Sequence, residues 1–295
     1  MEAEIRDGIS FDSSTEVFTW LTGNEVDNAV KAAISAGNVK LATLVAQAGG
    51  DDDFRANILA QLRLWKEQRV DAHIGEPTRK VYALLAGVID VLEGSGLGSG
   101  GARIESCPDL HISADVDWKR AFGLHLWYDQ PIDSSVTDAF DSYESAWKEG
   151  RYSVAPPLPW YLENAIAGRL QKKWNLPSTA DAHPDALYSL IKLFSDSSSS
   201  LSTILTPFSF NPSPIDYRLC WHLYIIISRC LGVRDFSDRG DTGLQSDAEE
   251  NEENRVEGHS PSADLLANSY ALQLEQLGMI QEAVFVLLHI EGSAG

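Results

Sequence analysis

The stretch WLTGNEVDNAVKAAISAGNVKLATLVAQAGG, residues 20–50, decides the fold class. Val26, Ala29, Val30, Ala33 and Ile34 recur at i, i+3, i+4, i+7 and i+8, which lines one face of a helix. Thr22-Gly23-Asn24-Glu25 has the pattern of a capping box ahead of it, and Gly37-Asn38 offers a left-handed stop behind. Leu41, Leu44, Val45 and Ala48 repeat the spacing before Gly49-Gly50 ends a second helix. Two short amphipathic helices, joined by a glycine turn and alanine-rich where they meet, read as one unit of a helical stack. Such a unit points to a scaffold more than to a catalyst.

The pattern continues outward. Asp51-Asp52-Asp53 places negative charge at the start of a third helix, with Phe54, Ile58, Leu62 and Trp65 as its stripe. Pro77 opens a fourth, whose apolar positions Val81, Leu84, Leu85, Val88 and Leu92 predict a helix running to the glycine-serine segment at 94–101. Further helices are predicted over 117–128, from Pro131 through Trp147, over 160–173 and over 184–196. The segment 216–231 is apolar nearly all round and predicts a central helix buried on every side. A final hairpin, 262–278 and 280–290, turns at Gly278, and its stripe of Ile280, Ala283, Val284, Leu287 and Leu288 has to pack on earlier helices. No strand alternation is evident, and no fixed repeat period appears, so the expected fold is all-α, an irregular helical stack.

Composition fits a folded chain with an acidic surface. The 295 residues are 44% hydrophobic and carry a formal net charge of -20. Such a surface repels phosphate backbones and anionic headgroups, which argues against direct binding of nucleic acid or of a membrane. The longest apolar run, 219–227, is less than half of the roughly 20 residues a membrane span needs. Three cysteines without a CxxC pair do not make a disulfide framework. Two loops are expected to be disordered, near 94–104 and near 235–262, the second because apolar residues almost vanish while Glu and Asp accumulate.

The chemistry-bearing residues form no motif. The glycine-rich run at 96–101 lacks the preceding strand and the Lys-Ser or Lys-Thr of a phosphate loop. Seven histidines show no HxxxH or HExxH spacing, and His125, His222 and His289 lie in apolar helices, where they read as core histidines satisfied locally. Cys107 stands outside the helical patterns. No catalytic residue, cofactor or metal is expected. A helical hydrolase with a dispersed site would need converging carboxylates or histidines in a cleft.

Four segments together resemble the helical coat nucleoporin of the Y-shaped nuclear pore subcomplex, the C-terminal product of a phenylalanine-glycine nucleoporin precursor. They are Trp20-Leu21-Thr22-Gly23 with the hairpin to Gln47, Asp117-Trp118-Lys119-Arg120 with His125-Leu126-Trp127-Tyr128, Asp216-Tyr217-Arg218-Leu219 with Trp221-His222-Leu223, and Ala283 through Ile290. That family shares its architecture with vesicle coat cage proteins, so a subunit of such a cage is the alternative reading. The resemblance implies a doubled-back helical domain over residues 15–292 after a flexible 1–14, with a crown over about 15–150 and a partial trunk over about 151–292. It implies a structural scaffold of the pore outer ring at the nuclear envelope, supporting transport of protein and mRNA.

The implied partner is the crown of a neighbouring coat nucleoporin, with Leu41, Leu44, Leu62, Trp65, Val81, Leu84 and Leu85 as candidates for the contact surface. The family's trunk also receives a β-propeller through an added N-terminal blade. No β-rich segment stands ahead of Trp20 here, which puts the β-propeller partner in doubt. No His-Phe-Ser tripeptide is present and Phe122-Gly123 is a solitary pair, so neither self-cleavage nor cargo gating is expected.

Overall fold

The computed structural model describes residues 13–96, 106–114, 116–129, 134–150, 154–166, 183–196, 198–238 and 259–290. The fold is all-α, a stack of short helices that divides into two compact units, Met1–Pro156 and Pro157–Gly295.

The first unit opens with α1 (Ser13–Leu21), α2 (Val26–Ser35), α3 (Val39–Val45), α4 (Asp52–Glu67) and α5 (Glu76–Leu85). Helix α1 packs on both α2 and α5, and it fills the centre of the unit with Val17, Phe18 and Leu21. The sequence reading places the start of the domain at residue 15 but names no helix ahead of Trp20. Ser13-Ser14-Thr15-Glu16 ahead of Val17 and Phe18 was the available signal, being a Ser-x-x-Glu pattern before an apolar pair. The start of α2 also differs from expectation. Thr22 is fully buried and donates its hydroxyl to the Thr19 carbonyl at 2.7 Å, so it finishes α1, while Glu25 stands at the start of α2 without a side-chain cap. The other caps follow the sequence. Asn38 accepts from the Leu41 amide at 3.1 Å, and Asp51 accepts from that of Phe54 at 2.9 Å.

Helix α5 ends seven residues before Leu92, because Gly87 takes a left-handed turn at φ 76°. Val91 and Leu92 then form strand β1 (Val91–Leu92), antiparallel to β2 (Leu110–His111) with Leu92 opposite Leu110. A two-residue strand whose partner lies far along the chain leaves no alternation to read. The beginning of the expected 94–104 loop is packed. Ser95 is buried and gives its amide and hydroxyl to the Asp71 carboxylate at 2.8 and 2.7 Å, and the Gly94 amide donates to Asp109 at 2.9 Å. Residues 97–105 lie outside the described residues.

Helix α6 (Trp118–Leu124) is capped by Asp117, which accepts from the amides of Lys119 and Arg120 and pairs with the Arg120 side chain. It widens into a π turn over His125–Asp129 and packs on α7 (Val136–Lys148), which Ser135 and Asp138 start with a capping box. Gly123 leaves room for the Trp127 ring of the π turn, since a Cβ there would stand 2.4 Å from it. The Tyr128 hydroxyl donates to the Leu21 carbonyl at 2.9 Å, joining the end of the π turn to the end of α1.

The second unit contains α8 (Trp160–Ile166), α9 (Ala186–Ser195), α10 (Leu201–Ile204), α11 (Pro207–Phe210), α12 (Arg218–Tyr224) with a π turn over Ile225–Cys230, α13 (Pro261–Gln276) and α14 (Ile280–Leu287). Its core gathers Leu201, Cys220, Trp221, Tyr224, Tyr270 and Val286, among others. Two hydroxyl and indole bonds tie α8 to α11: Tyr161 to the Phe208 carbonyl at 2.6 Å and Trp160 Nε1 to that of Phe210 at 3.0 Å. The 216–231 segment is not buried all round. Cys220, Trp221, Tyr224 and Ile227 face the core, while Leu219, His222 and Ile226 are exposed on the other side. Apolar composition marked both faces, but among the described residues only one is covered. The expected 235–262 loop is anchored at its ends, with Asp238 accepting from the Ser260 hydroxyl at 2.6 Å and the Ser262 amide at 2.8 Å. Residues 239–258 lie outside the described residues.

Gly94 offers a direct test of the packed corner, because a Cβ there would fall 2.1 Å from the Cys107 carbonyl oxygen, a backbone atom that cannot swing away. Gly94→Ala should lower unfolding stability by about 2 kcal/mol or more. Gly96→Ala, where nothing lies within 4 Å, should leave the urea midpoint unchanged. Equal midpoints for both variants would refute the packing described.

Candidate partner interface

The seven residues predicted for the contact surface divide by burial. Leu41, Leu62, Val81, Leu84 and Leu85 are all at 5% exposure or below, and Leu44 and Trp65 are half-buried. The structure brings Leu41, Val81, Leu84 and Leu85 into one cluster with Val17 and Leu21 of α1, and Leu44 packs at its edge. Trp65 meets Tyr82 of α5 with ring centroids 4.7 Å apart. A side chain at this depth supports a surface by holding its helix in place.

The outward apolar side chains of the same helices are different ones. Ile34 is 56% exposed and Val39 63%, on either side of the Gly37 turn. Leu64 and Val70 are exposed near the end of α4. Ile34 belongs to the α2 stripe by spacing, yet it is exposed beside the buried Ala32 and Ala33 near the helix end. Periodicity gives the face of a residue but not how far along it the neighbouring helix extends.

His125, Cys107 and Asp71 are engaged in contacts that hold the first unit together. His125 is buried, with Nδ1 2.9 Å from the Ser142 hydroxyl and 3.9 Å from Asp129, while Ser142 donates to Asp129 at 3.0 Å. These are the residue types of a hydrolase triad in the wrong order. The serine proton goes to the carboxylate, so the ring must donate from Nδ1 and has no base position facing the hydroxyl. Its Nε2 is buried with no partner among the described residues, which departs from the locally satisfied ring expected. Burial holds the imidazole neutral, moving its pKa from 6.5 down to about 4, against a smaller upward pull from Asp129. His222 and His289, both exposed, place Nδ1 at 2.6 and 2.9 Å from the carbonyls of Arg218 and Phe285, four residues back.

Cys107 is buried beside Arg79, whose Nη1 donates to its sulfur at 2.8 Å. Burial pushes this thiol up, despite the nearby guanidinium, and Cys220 is pushed up to about 12 for the same reason. Neither has the low pKa of a reactive cysteine. Asp71 completes the same corner. Burial would raise its carboxyl, but the Ser95 hydroxyl and amide and the Ala72 amide hold it below the usual range. Among the described residues no group of three His, Cys, Asp or Glu side chains could hold a metal ion, and no helix is long and apolar enough to cross a membrane.

A helical stack whose polar groups cap, lock and line helix ends has its relatives among pore proteins. The model of the family described as nuclear protein 96, Nup96, matches residues 15–295. The chain belongs to the Nup96 family. It is 30% identical over 280 residues to nucleoporin nup189 of Schizosaccharomyces pombe, which covers 95% of this chain and 14% of that protein. It is 35% identical over 211 residues to the nuclear pore complex protein NUP96 of Arabidopsis thaliana, covering 70% of this chain and 18% of that one. The nuclear pore complex protein Nup98-Nup96 of Drosophila melanogaster is 27% identical over 271 residues, covering 92% and 12%.

This Nup96-family chain therefore spans less than a fifth of the length of these relatives. Membership makes it a nucleoporin, a class found at the nuclear pore complex in the nuclear envelope, and it points to a structural component in place of an enzyme. The four quoted segments now have structural roles. The two that begin with aspartate start α6 and α12, each with an arginine folded back onto that aspartate. In the second, Asp216 also accepts from Gln273 of α13 at 3.2 Å, and the Arg218 bonds foremost bring its carboxyl down to about 2.

His125 makes the first unit sensitive to mild acid. The unfolded ring titrates near the ordinary 6.5 and the folded one at about 4, so the unfolded chain takes up the proton first as pH falls. The stability contributed by keeping the ring neutral is present above the unfolded value and is lost progressively through that window, by about 3 kcal/mol in all. Urea unfolding followed by tryptophan fluorescence should show wild type losing more stability than His125→Gln between about pH 7 and about pH 4. Parallel losses in the two proteins would mean that His125 is not the group responsible.

Proposed function

We propose that this chain is a scaffold subunit of the nuclear pore outer ring, which holds neighbouring coat nucleoporins in fixed geometry through helical surfaces. Transport of protein and mRNA then depends on it indirectly, through the frame it maintains. The observation that carries this reading is the match of one nucleoporin family across residues 15–295, on a chain whose Asp117, Ser135 and Asp138 side chains serve as helix caps. The partner is the crown of a neighbouring coat nucleoporin. On this side the contact is made by the outward residues Ile34 and Val39, with Leu41, Leu44, Leu62, Trp65, Val81, Leu84 and Leu85 holding the surface in shape from beneath.

The physical support is a division of labour. A protein contact needs apolar side chains that the free subunit leaves in water, together with a rigid backing that costs little entropy to present. Ile34 and Val39 meet the first condition, and the α1–α2–α3 core beneath them meets the second. Ile34→Glu with Val39→Glu should abolish co-elution with the neighbouring crown in size-exclusion chromatography, while helicity and melting temperature stay at wild-type values. Leu84→Ala should instead destabilise the chain by about 2–5 kcal/mol, because it empties a fully packed position. Failure of the intact, helical wild type to co-elute would sink the partner assignment, and undiminished co-elution of the double variant would sink the proposed surface.

A further inference from the structure

Helices α2, α5, α7 and α13 hand over to a glycine at positive φ, namely Gly37, Gly87, Gly150 and Gly278. Helix α4 ends on the same left-handed turn, but the residue there is Arg69, at φ 55°. The turn is complete: the amides of Gln68, Arg69 and Val70 meet the carbonyls of Leu64, Lys66 and Trp65 at 2.9, 3.1 and 2.9 Å. A Cβ is strained in this backbone region, which is why glycine is the ordinary choice. The Arg69 guanidinium forms no ion pair and no hydrogen bond among the described residues that would offset the strain. It lines a concavity of about 440 Å³ with Arg63, Lys66, Glu67, Ser95 and Gly96. Arg63 is likewise unpaired among the described residues, although Glu67 follows it by four, and Lys66 is shared with Glu93 at 2.5 Å. The Gly96 amide bonds to nothing among the described residues, and no atom lies within 4 Å of where a Cβ would stand, so that edge is open. Backbone strain that serves an unpartnered charged side chain in a concavity points to a ligand.

On a chain with a net charge of -20, two unpaired guanidiniums at one concavity select an anion, and their planar forks match the oxygens of a phosphate. The neighbouring carboxylates limit how much charge enters. Glu67 lines the concavity and Glu93 holds Lys66, so one phosphate is matched, while the phosphate run of a nucleic acid or a polyphosphate is repelled. A free phosphate ion would leave most of the volume to water. We propose that this concavity binds a phosphorylated serine or threonine of a separate protein, in a segment without acidic neighbours. Arg63 and Arg69 take the phosphate oxygens, and the open edge at Gly96 admits the chain that carries the phosphate. Ser246 of this chain does not meet the requirement, because Asp247, Glu249 and Glu250 follow it. The site uses none of the contact residues proposed above and does not rest on that reading.

The test reads fluorescence anisotropy of labelled peptides with the full chain. One peptide is a phosphoserine flanked by alanine and glycine, the second is its unphosphorylated parent, and the third is residues 242–251 of this chain phosphorylated at Ser246. The first should bind about tenfold more tightly than either of the others, and Arg63→Gln and Arg69→Gly should each weaken it by about tenfold. Glycine relieves the left-handed strain, so the urea midpoint of Arg69→Gly should equal or exceed that of wild type. A lowered midpoint would show that Arg69 serves the fold and would overturn the site. Absent saturable binding, equal binding of the phosphorylated peptide and its parent, or binding undiminished by both substitutions would do the same. So would inorganic phosphate displacing the peptide at equal concentration, since the occupant would then be a free anion. Tighter binding of the 242–251 peptide would also overturn the proposal, since the phosphate would then belong to this chain's own sequence.

Discussion

A hairpin of two short helices cannot bury both its apolar faces by itself, and the arrangement of this chain follows from that constraint. Helices of seven to ten residues are marginal alone, so each is held by what packs against it. In the first unit α1 meets the need. It packs on both α2 and α5, and its Val17 and Leu21 are fully buried. In the second unit α13 has neighbours in both α12 and α14, but among the described residues α14 has only α13 as an extensive partner. The same rule that builds the interior of one unit leaves an uncovered face on the other.

Polar residues do a different job, fixing where helices begin and how they meet. Asp117 and Asp216 each stand before a helix and draw an arginine back toward themselves, at positions 120 and 218. In both, burial alone would raise the carboxyl and hydrogen bonds bring it down, so the carboxylate stays ionised where it is needed. Tyr128 and Tyr161 spend their hydroxyls on carbonyls of other elements. Those bonds answer backbone groups at helix ends that a short helix cannot satisfy internally. A chain with many short helices has many such ends, which is one physical reason its serine, aspartate and tyrosine hydrogen bonds serve structure in place of a reaction.

Much of the fold was legible because helical periodicity is local. The stripes of α2, α3 and α4, the asparagine and aspartate caps and the Gly278 hairpin can all be read within a dozen residues. What escaped depends on distant partners. Val91 and Leu92 look like the end of a helical stripe until Leu110 and His111 pair with them. Thr22 resembles a cap until α1 is present to claim it. The surface was less legible than the core for the same reason. Leu41, Leu84 and Ile34 carry equivalent spacing signals, yet two are buried and one is open, because spacing along one helix does not record which neighbours cover it.

That difference bears on how a scaffold can change its contacts without losing its fold. Residues such as Val81 and Leu84 answer to the subunit's own packing, where loss of a few methylenes costs a large share of total stability. Ile34, Val39 and the outer side of α14 answer to other constraints, since in the free chain they gain nothing from burial. Substitutions there alter contacts at almost no cost to folding, whereas substitutions beneath them alter folding and only then contacts. A helical stack keeps these two roles on opposite sides of the same short helix, so one seven- or eight-residue element can be rigid inside and adaptable outside.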